Sequence, residues 1–135
     1  MINMRKPGQI TTLLAAVMML SALPGCGSGP PKPADPAAAR EALERTLTAW
    51  KEGRSSESLK DENPPIVVSD HVWNKGARLV RYQIEPGDRH AGADQSFQVV
   101  LWLQDEKAKA KAKEREEKTE YNVGTHPILT VVRPF

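Results

Sequence analysis

Apolar residues recur along this chain with three different spacings. Between Ile10 and Leu23 they run almost without a break, from Ala37 to Trp50 they return every three or four positions, and beyond Ile66 they alternate with polar ones. The middle spacing predicts a helix carrying Ala39, Leu43, Leu47 and Trp50 on one face and Arg40, Glu41, Glu44, Arg45 and Lys51 on the other. Asp35 Pro36 supplies its start, an N-cap followed by a proline whose missing N–H costs nothing at the first helical position. Gly53 supplies its end, just past Glu52. Ser55–Leu59 reads as one more short turn, and Asn63 Pro64 Pro65 forces extended backbone into a strand at Ile66–Ser69.

The alternating stretches predict further strands. Ala77–Glu85 places Val80, Tyr82 and Ile84 on one face and Leu79, Arg81 and Gln83 on the other. Pro86 Gly87 Asp88 is a turn signal that opens a polar loop through Gly92. Ser96–Gln104 alternates Phe97, Val99, Leu101 and Leu103 against Gln98, Val100 and Trp102, and Thr119–Val123 and Ile128–Arg133 complete the set around Gly124 and Pro127. The expected fold is therefore α+β, with one long N-terminal helix packed on a curved antiparallel sheet of four to five strands. In this order, with the Trp50-x-x-Gly53 helix exit, the domain resembles the cystatin-like and NTF2-like group. That resemblance implies a helix wrapped by a curved sheet and leaves function open.

The N-terminal run is of another kind. Arg5 and Lys6 precede an apolar region of about 14 residues that would span roughly 21 Å as a helix, short of the ~30 Å hydrocarbon core of a bilayer, so it reads as a secretory signal and not a membrane span. It ends in Leu23 Pro24 Gly25 Cys26, and Cys26 is the sole cysteine. This segment resembles a bacterial lipoprotein leader: Leu23, Gly25 and Cys26 match the lipobox, whereas Pro24 stands where Ala or Ser is usual. The resemblance implies a diacylglyceryl group on the Cys26 thiol, cleavage after Gly25 and acylation of the new amino terminus. Gly27 and Ser28, with no acidic residue after the cysteine, lean by the same analogy toward an outer membrane in a cell that has two.

Three regions follow: a signal peptide 1–25, a lipidated cysteine with a Pro/Gly-rich linker 26–36, and a single domain 37–135. The linker holds four prolines and two glycines in Gly27–Pro36 and forms a semi-rigid spacer of about 30 Å. With Cys26 taken by lipid no disulfide staples the domain, so its stability rests on packing; all seven aromatic residues of the chain lie within it, so a modest core is possible. Removing Arg5 and Lys6 from the 19 basic residues leaves 17 against 17 acidic ones, which excludes a global field for steering anions.

Chemistry-bearing patterns are sparse. The run Asp105–Glu120 holds six basic and six acidic residues that cancel one another, and it reads as an extended, solvated hairpin tip. Self-cancelling charge on an exported protein argues against nucleic acid; an anionic cell-wall polymer remains a residual partner. His71, His90 and His126 lack ligand spacing, so no metal is expected, and neither a phosphate loop nor a framed nucleophile occurs, so no cofactor is expected. Tyr82, Tyr121 and His126 are the residues that an NTF2-like enzyme would turn into its cone. The expected role is non-enzymatic, structural or protein-binding, with the membrane reached through Cys26 and an envelope protein as partner. Trp102 with Val100 is the candidate partner surface, because both lie opposite the strand face that the helix covers. The alternative is an NTF2-like pocket that binds or transforms a small ligand.

Overall fold

A computed structural model describes residues 30–105 and 113–135. The leader, Cys26 and the first linker residues lie outside the described residues, as do residues 106–112 of the expected hairpin tip. Helix α1 spans Pro36–Lys51, capped by the Asp35 carboxylate, which accepts the Ala38 amide at 3.1 Å. It ends as expected: Gly53 adopts φ +80, a left-handed conformation that a residue without Cβ takes without strain. A 3-10 turn, Ser56–Asp61, leads into β1 (Ile66–Ser69), and the one-turn helix α2 (His71–Asn74) follows. Strands β2 (Ala77–Ile84), β3 (Arg89–Ala91), β4 (Asp94–Asp105), β5 (Arg115–Gly124) and β6 (Leu129–Val132) complete the chain.

The architecture is α+β, a curved mixed sheet in the order β1-β6-β5-β4-β2 with β3 on β4 beyond the end of β2. The sheet is not wholly antiparallel, because β1 pairs with β6 in parallel, Ile66 opposite Leu129 and Ser69 opposite Val132. That pairing joins the first strand to the last, so no local periodicity signals it. The short strand β3 and the helix α2 also add to the expected elements. At the other end of the ladder β5 starts at Arg115, four residues before the alternation becomes apolar. The reason is main-chain pairing: Leu103 lies opposite Arg115 and Leu101 opposite Glu117, and ladder hydrogen bonds are indifferent to side-chain polarity.

Strand β2 departs from strict alternation. A bulge between Leu79 and Arg81 takes Val80 out of register, so Leu79, Tyr82 and Ile84 share the inner face while Arg81 and Gln83 share the outer one. The inner face is the core. Leu43, Leu47 and Trp50 of α1 meet Leu79, Phe97, Leu101 and Tyr121 there, all fully or almost fully buried. Trp50 also stacks on Trp73 of α2, ring centroids 5.2 Å apart, and both indoles donate to backbone oxygens, Trp50 to Ala77 at 2.8 Å and Trp73 to Arg54 at 3.1 Å. At the start of the β5–β6 turn a Cβ on Gly124 would lie 2.6 Å from Thr130 Oγ1, so this close strand approach requires glycine.

Candidate functional site

Strand β4 lies between β2 and β5, and its even-numbered residues from Ser96 to Gln104 point away from α1. Trp102 is paired with Arg81 of β2 and Glu116 of β5, and Val100 with Gln83 and Lys118. The bulge in β2 places Arg81 where its guanidinium stacks over the Trp102 ring, 4.1 Å from the centroid. Trp102 is half-buried under this lid, but Val100 is only 4% exposed. The expected apolar patch of two exposed residues is therefore corrected to one. Val100 is flanked at its register positions by Gln83 and Lys118, both exposed. Phe135 stacks on His71, ring centroids 5.1 Å apart.

The inner face holds a polar group that the sequence pattern did not single out. Asp70 and Arg133 are 1% and 3% exposed and form an ion pair, Arg133 Nε to Asp70 Oδ1 at 3.3 Å. Asp70 Oδ1 accepts the amides of Val72 and Trp73, which caps α2, and Oδ2 accepts the Tyr121 hydroxyl. Arg133 donates from one terminal nitrogen to Glu117 at 3.0 Å and from the other to the Tyr121 oxygen at 3.2 Å. Its Nε lies at ion-pair distance from Asp70 without hydrogen-bond alignment. Parity offered a partial signal: Glu117 and Tyr121 share the face of β5 that carries buried Val123, and Arg133, just past β6, lies two residues beyond buried Val131.

Electrostatics fixes the charge states in this cluster. Burial pushes the Tyr121 hydroxyl above the ordinary tyrosine range and the Asp70 charge adds to it, so the group stays a neutral donor. Burial opposes the charge of Arg133, but Tyr121, Asp70 and Glu117 outweigh it and hold the guanidinium protonated. Both Asp70 oxygens are thus occupied by donors of this chain. The arrangement clamps the end of β6 to the start of α2, with the buried Asp70 carboxylate committed to structural contacts within this chain.

The other candidate residues are dispersed. Tyr82 exchanges a hydrogen bond with Thr48 at 3.1 Å, His126 is exposed in the β5–β6 turn, and Tyr121 is buried in the ion cluster. Among the described residues no group of three or more His, Cys, Asp or Glu side chains is placed to hold a metal ion, and no helix is long and apolar enough to cross a membrane. Concavities open at the edges of the core. One of about 470 Å³ lies beside Trp50, Gly53, Arg54, Trp73 and Arg78, and another of about 550 Å³ beside His71, Val72, Lys75, Ala77, Asp105 and Arg115. No family model, curated protein or solved structure matches this chain.

Proposed function

We propose that this chain is an exported lipoprotein of the cell envelope, held to the membrane through Cys26, whose cystatin-like/NTF2-like domain binds another envelope protein and performs no chemistry. The observation that carries the binding half is the state of the interior. Leu43, Leu47, Trp50, Phe97 and Leu101 fill the space between helix and sheet, each no more than 2% exposed, and Asp70, Tyr121 and Arg133, the polar groups that enter it, are bound to one another. A domain that spends its concave side on a core presents its surfaces to partners. Trp102 under Arg81 is the surface feature best suited to that role, with Val100 as its buried support, because Trp and Arg are the residue types most enriched in interface hot spots.

The anchor half rests on Leu23, Gly25 and Cys26. Intact mass measurement of the mature protein tests it: acyl mass on an amino-terminal Cys26 is expected, and an unmodified thiol refutes it. For the binding half, Trp102→Ala should leave the fold nearly intact and weaken crosslinking to its partner in intact cells. The 550 Å³ cleft beside His71, Lys75 and Arg115 supports a second reading, a small-ligand pocket. Lys75→Ala distinguishes the two, since it disturbs that cleft without touching the outer face.

A further inference from the structure

The linker is fastened to the domain before α1 begins. Ala34 is 3% exposed, and its amide donates to the Ala93 carbonyl between β3 and β4 at 2.7 Å. The next amide, of Asp35, donates to Thr125 Oγ1 in the β5–β6 turn at 3.1 Å, while the Asp35 carboxylate caps α1. Two attachments on consecutive residues, followed by the cap of α1, bring the chain out of the body between two turns. The ordered body thus takes in Ala34 and Asp35, and the linker joins it at Pro33.

These two turns lie at one pole of the sheet. Strand β4 begins there at Asp94 and ends at Asp105, opposite Ala77 of β2 and close to Arg115 of β5. Twelve residues at ~3.3 Å separate the poles by about 40 Å. The stretch from Cys26 to Ala34 is eight residues, and Pro-rich backbone at ~3.1 Å per residue reaches about 25 Å.

We infer that the pole formed by the β3–β4 and β5–β6 turns is the one that faces the membrane, and that the Asp105–Arg115 pole faces away from it. The inference rests on the lipid-anchor reading and specifies how that anchor presents the domain. The short tether keeps the Ala93 and Thr125 turns near the lipid surface, whereas the far pole stands a further strand length out. Trp102 lies eight residues along β4 from Asp94, about 26 Å above the near pole at ~3.3 Å per residue. Its partner is then the extracytoplasmic part of a protein, at a height that headgroups do not reach.

The test uses the full chain with its native anchor in phosphatidylcholine and phosphatidylglycerol vesicles. The natural sequence has only Cys26, which the anchor consumes, so His126→Cys and Lys75→Cys each offer one labelling site, at the near and far poles. Energy transfer to a headgroup dye is expected to be several-fold stronger from position 126 than from position 75. Equal or reversed transfer in protein that floats with the vesicles overturns the orientation while leaving the anchor intact. Wild-type protein that does not float overturns the anchor reading and the orientation with it. Ala34→Glu places a charge where the docked linker is buried, and should narrow the difference between the two transfers; amide exchange at position 34 of that variant reports whether the linker has come loose. Unequal transfer that survives a loosened linker would overturn the docked linker as its cause.

Discussion

Leu101 and Trp102 are consecutive residues of β4, yet the first has no exposed surface and the second stands half-exposed beneath Arg81. On the inner side every large requirement is met from within: two indoles find backbone oxygens, and a buried carboxylate finds two amides, a phenol and a guanidinium. The outer side meets the requirement of Trp102 with one mobile type of side chain laid over its ring. One strand thus divides the molecule into a side whose contacts define the fold and a side whose contacts can be exchanged for those of a partner. Substitutions on the two sides should accordingly separate loss of stability from loss of binding.

The largest effect is expected at Trp50. Truncating a buried Trp to Ala typically costs ~3–5 kcal/mol, a large part of the 5–15 kcal/mol that holds a typical domain together. Trp50→Ala also leaves the Ala77 carbonyl without its indole donor and Trp73 without its stacking partner. Urea unfolding should show the midpoint collapse. A change of less than about 1 kcal/mol, within the usual range for surface sites, would break the division between the two sides.

Asp70→Ala ranks next, at about 3 kcal/mol, because removing one member of a buried pair leaves the other charge uncompensated. The same substitution removes the cap of α2. Calorimetry should place Asp70→Ala well below wild type in melting temperature, whereas Glu57→Ala, which removes the exposed ion pair with Lys60, should stay near it.

Tyr121 gives this inner cluster a pH signature. Its folded-state pKa is raised above the tyrosine value of 10.0, so the unfolded chain releases its proton first as pH rises. The stability it contributes is complete below pH 10 and lost above it, at about 1.4 kcal/mol for each further pH unit. Urea unfolding at pH 9 and pH 11 should therefore show a steeper alkaline loss for wild type than for Tyr121→Phe. Parallel losses would show that the phenol ionises as readily in the folded protein as in the unfolded chain.

The inner side was the more legible in the sequence. The spacing of Ala39, Leu43, Leu47 and Trp50, the Asp35 Pro36 start and the Gly53 exit all appear in α1 as read, since each is a local signal. The parallel pairing of β1 with β6 joins segments about sixty residues apart, and the bulge at Leu79 and Arg81 depends on how β2 meets β4; neither leaves a trace in periodicity. Tyr121 was among the sequence candidates, but its meeting with Asp70 and Arg133 was hidden for the same reason. Each is ordinary in its own segment, and only the folded chain makes them neighbours. Trp102 was legible as outward-facing from parity, but its cover by Arg81 was not, because the strict alternation puts Arg81 on the right face without saying which residue it opposes.

The smallest effect on stability, and the one most informative about the outer side, is expected at Trp102 and Arg81. A guanidinium over a partly exposed indole contributes roughly 0.5–1 kcal/mol. A double-mutant cycle with Trp102→Ala, Arg81→Ala and the combination should yield a coupling of about that size, with each single variant still melting cooperatively. Partner capture by crosslinking should behave differently: Trp102→Ala should lose most of it, and Arg81→Ala should weaken it by removing one half of the same contact. A coupling several times larger, accompanied by unchanged crosslinking, would make the pair part of the fold's own stabilisation and leave the outer side without its distinguishing feature.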